Sequence, residues 1–190
     1  MGVTPNALTV AGLIGSAAVA GLILGRMWVA AGIVFVVASV MDMLDGSVAR
    51  LSGRTSVFGA FLDSTFDRLA EALILGAIGV TLAEDGDAWA VALTFLALTG
   101  SFLVSYTRAR AEGLGIDSNK GGLMSRPERL VLIGAAIFFA PFDPVRQVAV
   151  AVLCGLTLLT VAQRLWHVHA VLRDRGAAPD EIHQGGDPTP

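Results

Sequence analysis

Apolar residues run along most of this chain in blocks too long and too continuous for helices with a water-facing side. They predict six helices, at roughly 6–25, 27–51, 56–82, 88–112, 126–141 and 145–172. Turn-forming clusters mark the breaks: SGRTS after the second block, AEDGD after the third, EGLGIDSNKGG before the fifth and APFDP after it. Isolated apolar runs of about 10–14 residues read as core helices of a soluble protein, and a span needs about 18–20. Six blocks in succession, most near that length, favour spans. The expected fold class is therefore an all-α integral membrane protein of six transmembrane helices, with one membrane domain over 1–175. The closing stretch RGAAPDEIHQGGDPTP has almost nothing to bury, and a disordered tail over 176–190 is expected. The opening MGVTPNALTVAGLIGS lacks a basic flank and reads as part of the first span.

Composition agrees. Hydrophobic residues make up 54% and charged residues 15%, against about 25% charged in soluble domains. The lone cysteine, Cys154, sits in an apolar run and offers neither a disulfide nor metal-type spacing. A net charge of −3 gives no footing for nucleic acid, but the distribution of charge is informative. With six spans, eleven of the thirteen Lys and Arg fall on the face shared by both termini, and only Arg26 and Arg146 on the other. The positive-inside rule puts that basic face, and both termini, in the cytoplasm of a multi-pass cell-membrane protein. Trp28, Trp89 and Trp166 fall near span ends, as interfacial aromatics do.

The basic face also carries acids. In VMDMLDGSVARLSGRTSVFGAFLDSTFDR, Asp42 and Asp45 are three apart near the end of the second helix, and Asp63 and Asp67 four apart near the start of the third. Each pair shares one helical face. The short connection predicts that the two helices pack as antiparallel neighbours, with the acid pairs facing each other. Facing carboxylates in an apolar setting repel and cost several kcal/mol unless compensated (roughly 2.5–3.5 for one acid at a span centre). Arg50 and Arg68 are near in sequence, but one or two hard divalent cations, Mg²⁺ or Mn²⁺, match four oxygen donors better. Gly46, Ala49 and Gly59 leave a shallow groove beside the acids, suited to a flat base and its phosphates. Taken singly, such small residues serve close helix packing in lipid.

The pattern D-x-x-D-G-x-x-A-R, eight residues, then G-x-x-x-D-x-x-x-D is complete here in Asp42, Asp45, Gly46, Ala49, Arg50, Gly59, Asp63 and Asp67. It resembles the signature of the CDP-alcohol phosphotransferase family, whose six-span architecture also matches. The resemblance implies transfer of a substituted phosphate from a CDP-linked donor to an alcohol, with release of CMP. It implies Asp42, Asp45 and Asp63 as metal ligands, with Asp67 sharing a metal or standing beside it as the general base. Cytidine would lie along Gly46, Ala49 and Gly59, with Arg50 supporting the acids or the diphosphate. Pro5, Asn6 and Thr9 of the opening TPNALT stand where family members approach the nucleotide, although Thr4-Pro5 is also an ordinary helix start. A homodimer is expected from the same resemblance.

A second polar cluster, SYTRARAEGLG and LMSRPERL, surrounds one loop of the basic face. Arginine forks suit phosphate. YTRARAE and RPERL resemble the branch of the family that makes phosphatidylinositol phosphate from CDP-diacylglycerol and inositol 1-phosphate. By that resemblance Arg108, Arg126, Arg129 and Arg164 bind the acceptor phosphate. The chain opens almost at TPN, without the amphipathic helix that often precedes the first span in that branch. Glycerol 3-phosphate is the nearest rival acceptor, whereas serine would not need so many arginines. A cation transporter is the reading from another class. It predicts acids spread through the membrane depth and broken helices near the midplane, whereas these acids cluster at one end. Glu84, Asp85 and Asp87 in the opposite loop read as solvated turn residues, and the histidines show no ligand spacing with the acids.

Overall fold

The computed structural model describes residues 5–51, 56–116, 122–142, 144–174 and 176, with side chains described throughout except at 5, 6, 8 and 41–51. These residues form six helices and no strand: α1 (Pro5–Leu24), α2 (Trp28–Leu51), α3 (Val57–Glu84), α4 (Ala88–Gly113), α5 (Arg126–Phe138) and α6 (Val145–Asp174). The ends fall within three residues of those predicted from the apolar blocks. Local chemistry sets them. Ser56 opens α3 by accepting the Gly59 amide at 2.9 Å, and Asp87 opens α4 by accepting that of Ala90 at 2.9 Å. The fifth helix stops at Phe138, earlier than its apolar block. Pro141 supplies no amide and turns the residue before it away from helical geometry. The expected tail beyond residue 176 lies outside the described residues.

Of the six, α4 and α6 are long and apolar enough on their own to cross a bilayer. Shorter apolar stretches run over Thr9–Leu24 and Trp28–Val40, and α3 carries Asp63, Asp67, Arg68 and Glu71 within its first fifteen residues. Ile23, Leu75, Leu82, Ile137 and Leu153 fill the interior, yet the outer surface is apolar too. Trp89, Val131 and Trp166 are each about three-quarters exposed. Such an exterior suits lipid and would be an aggregation hazard in water.

The helices close a ring in which each packs on two others, in the order α1, α3, α4, α6, α5, α2 and back to α1. Among the described residues α3 packs chiefly on α1 and α4, and Ala38 and Ser39 of α2 face it across a groove. The half of α2 that carries Asp42 and Asp45, expected to pack beside α3, has its side chains outside the described residues. Close approach elsewhere needs glycine. A side chain built at Gly32 would sit 2.8 Å from the Phe138 ring, and one at Gly134 2.9 Å from the Phe35 ring. α2 and α5 thus seat a phenylalanine each in the other's glycine.

At the end of the bundle away from the aspartates, three turns are tied together. Arg26, in the left-handed region at φ 57°, bonds Asp85 at 2.8 Å, Glu84 at 3.1 Å and the Thr81 carbonyl at 3.3 Å. Arg146 from the start of α6 reaches Asp85 at 2.7 Å and lies 5.3 Å over the Trp28 ring. Glu84 and Asp85 are therefore ion-paired staples and not simply solvated, because the basic residues of neighbouring turns converge on them. Trp28 is buried beneath Arg146 and is not an interfacial anchor, whereas Trp89 and Trp166 are exposed as expected.

Candidate active site

Asp63, Asp67 and Glu71 follow one another at four-residue spacing, so α3 presents them as a single acidic stripe. The stripe forms one wall of an open groove. Thr9, Gly12 and Ser16 of α1, Ala38 and Ser39 of α2, and Arg126 and Arg129 of α5 line the rest. Each of the two lower acids meets an arginine of α5. Arg126 donates to Asp67 Oδ1, and Arg68 Nη1 stands 3.9 Å from Asp67 Oδ2. Arg129 donates from Nε to Glu71 Oε1 at 2.9 Å and from Nη2 to Oε2 at 3.3 Å. Ser101 of α4 adds a third bond to Glu71 Oε1 at 2.6 Å.

The aim of α5 is set by α6. The Met124 amide donates to Thr160 Oγ1 at 3.0 Å and the Leu123 amide to Gln163 Oε1 at 3.1 Å. Gly122, at φ 118°, lets the backbone pass Thr160 so closely that a Cβ would lie 2.5 Å from its methyl. This strap starts α5 at Arg126 with Pro127 in its first turn, and so points the two arginines at the acidic stripe. Arg164 is buried and donates to the Val104 carbonyl of α4, close enough to Arg108 and Arg129 for their charges to oppose its own. Arg108 is half-exposed and bonds Glu112 at 2.9 Å.

Of the residues singled out from sequence, Thr9, Asp63, Asp67, Arg126 and Arg129 therefore share one groove. Gly59 lies in the first turn of α3, and Arg108 and Arg164 on the neighbouring helices, outside the groove lining. Asp42, Asp45, Gly46, Ala49 and Arg50 belong to α2 and Pro5 and Asn6 to α1, but their side chains lie outside the described residues. Sequence reasoning missed Glu71, Ser101, Thr160 and Gln163. Glu71 continues the spacing of Asp63 and Asp67, a signal that was readable; the hydroxyls carry none.

No three Asp, Glu, His or Cys side chains converge among the described residues as a metal centre would require. Asp63 and Asp67 supply two hard oxygen-donor groups on one groove wall, and that donor chemistry fits a divalent cation of the Mg²⁺ or Mn²⁺ kind.

An all-helical bundle with a carboxylate stripe facing arginines across an apolar-walled groove suits a membrane enzyme handling phosphorylated substrates. The chain belongs to the CDP-alcohol phosphatidyltransferase family, whose model matches residues 2–171, and is thus a membrane-associated transferase. It is 40% identical over 188 residues to the phosphatidylinositol phosphate synthase of Mycolicibacterium smegmatis, covering 93% of this chain and 81% of that one. It is 37% identical over 166 residues to the archaetidylinositol phosphate synthase of Pyrococcus horikoshii, covering 87% and 84%. The structure matches the phosphatidylinositol phosphate synthase of Mycobacterium tuberculosis with CDP-DAG bound at a TM-score of 0.80 and 31% identity, over 98% of this chain and 93% of that one. The same enzyme in complex with manganese and citrate matches at 0.80 and 31% identity, over 99% and 90%.

Proposed function

We propose that the protein transfers a phosphatidyl group from CDP-diacylglycerol to inositol 1-phosphate, giving phosphatidylinositol phosphate and CMP. The observation that carries this reading is the meeting of signature acid and arginine in one groove: Asp67 opposite Arg126, with Arg129 one turn along. Kinship with enzymes named for inositol phosphate lipids supports the choice of acceptor.

In this reading Arg126 and Arg129 hold the acceptor phosphate, with Arg108 and Arg164 behind them. The acceptor hydroxyl is thereby brought to Asp67, whose carboxylate oxygen takes its proton. The hydroxyl oxygen forms a bond to the phosphorus bearing the diacylglycerol, and the bond from that phosphorus to the oxygen of CMP breaks. Arg126 has two roles available: it neutralises Asp67 while the groove is empty, and it turns to the phosphate when acceptor arrives. Asp42, Asp45, Asp63 and Asp67 would hold Mg²⁺ or Mn²⁺, which supplies charge neutralisation at the diphosphate and stabilises the leaving CMP. Gly46, Ala49, Gly59 and Arg50, with Pro5, Asn6 and Thr9, would receive the CDP part of the donor. Six spans over 1–175, cytoplasmic termini, a groove opening to the cytoplasmic face of the cell membrane and a homodimer complete the reading. The basic asymmetry and the apolar exterior support it.

The test is CMP release by the purified protein with Mg²⁺ and CDP-diacylglycerol, offered inositol 1-phosphate, glycerol 3-phosphate, inositol and serine separately. Release with inositol 1-phosphate alone is expected. Release only with glycerol 3-phosphate would keep the mechanism and overturn the acceptor.

A further inference from the structure

Glu71 lies outside the family signature, yet its buried carboxylate accepts three hydrogen bonds. Its side chain and that of Arg129 are 9% and 5% exposed. Two parallel bonds join them, and Ser101 fixes the carboxylate from the other side. Other contacts also hold α5 in place. That helix is already seated on α2 through Gly32, Phe35, Gly134 and Phe138 and strapped to α6 through Thr160 and Gln163. Replacing a buried ion pair by apolar packing is often neutral or stabilising, so stability alone gives weak reason for one here.

The geometry of the bond suggests what it does. Glu71 takes the Nε and Nη2 side of the guanidinium, and Nη1 makes no hydrogen bond among the described residues. An arginine held by one edge has lost the freedom of its long stem, and its other edge remains for a second bidentate acceptor. Both residues line the groove that holds Asp67. Glu71 also offsets, beside Asp67, the mutual repulsion of Arg68, Arg126 and Arg129.

We propose that Glu71, braced by Ser101, is a positioning residue that locks Arg129 with its free edge toward the acceptor phosphate. The inference rests on the reading of Arg129 as an acceptor-phosphate residue. It acts on the acceptor half of the reaction and leaves the CDP-linked donor to the other wall.

The experiment is steady-state CMP release with Mg²⁺, varying inositol 1-phosphate and CDP-diacylglycerol in turn, for the intact protein and for Glu71→Gln, Ser101→Ala and Arg129→Lys. Glu71→Gln should raise the apparent KM for inositol 1-phosphate about ten- to hundred-fold, with kcat and the KM for CDP-diacylglycerol nearly unchanged. Ser101→Ala, which keeps the ion pair and guards against misfolding of the first variant, should raise it about three- to ten-fold. Arg129→Lys keeps the charge but loses the fork and should resemble Glu71→Gln. If Arg129→Lys raises the acceptor KM while Glu71→Gln and Ser101→Ala do not, the positioning role falls and the acceptor reading stands. An acceptor KM untouched by Arg129→Lys overturns both. Equal losses toward both substrates, tracking a lower melting temperature, would make the pair a structural tie and overturn the proposal.

Discussion

At the C-terminal end of α3, Arg26 and Arg146 converge on Asp85; nearer its middle, Arg126 and Arg129 meet Asp67 and Glu71. Asp85 lies eighteen residues beyond Asp67 and fourteen beyond Glu71, or about 27 and 21 Å along the helix. They share a vocabulary of acids and arginines but differ in where the partners come from and what surrounds them. At the Asp85 end every partner belongs to a turn or its flanking residue, and the charges satisfy one another where the chain reverses. At the Asp67 end the partners project from helix walls into a groove with room for another molecule. On the proposed reading an anion replaces a carboxylate on an arginine there, and a cation replaces an arginine on a carboxylate. The same pairing is then a staple in one place and an exchangeable contact in the other.

The largest way to sharpen this contrast is Asp67→Asn. It preserves shape and removes the base, and turnover should fall about 10²–10⁴-fold while CDP-diacylglycerol still binds. Unaltered turnover would refute the role of Asp67. Next in size, Arg126→Ala should raise the apparent KM for inositol 1-phosphate about ten- to hundred-fold without a comparable change for the donor. A change confined to the donor would reverse the assignment of the two groove walls. At the other end Arg146→Met should leave kcat and both KM values alone and cost about 1–3 kcal/mol of stability, read as a lower Tm in detergent. An altered KM in that variant would break the division between staple and site.

The smallest expected effect is one of pH. Hydrogen bonds from Arg26, and secondarily from Arg146, hold the Asp85 carboxyl below the usual carboxylate range. A carboxyl whose folded pKa is lowered contributes its full stability above the unfolded value, near 3.8, and loses it as pH falls through the folded pKa. The Tm should therefore decline as the medium is acidified below about pH 4, and less so in Asp85→Asn. Parallel declines in the two proteins would show that Asp85 contributes nothing measurable.

The helices were legible because their ends are written locally, in Ser56, Asp87, Pro141 and the glycine-rich breaks. The acidic stripe was legible because helical spacing alone places Asp63 and Asp67 on one face. The neighbours of that stripe were not. Arg126 is 59 residues from Asp67; the resemblance puts both in one site, but nothing in either segment announces their direct pairing. From sequence, divalent cations match the acids better than the nearby Arg50 and Arg68, and the arginine that donates to Asp67 among the described residues comes from α5. Arg26 and Arg146, the two basic residues on the opposite face, look like exceptions in a count of charges and become a matched set once Asp85 is placed between them.

The closed circuit of helices also sets an order of birth. α2 rests on α1 and α5, and α3 on α1 and α4, so the groove lacks a wall until α5 has been made. Ribosomes add roughly 5–20 residues per second, so Asp67 precedes Arg126 by roughly 3–12 seconds. During that interval the acids of α3 exist without their α5 partners. The glycine–phenylalanine seats between α2 and α5 are then the final clasp, and the groove is among the last parts of the molecule to exist.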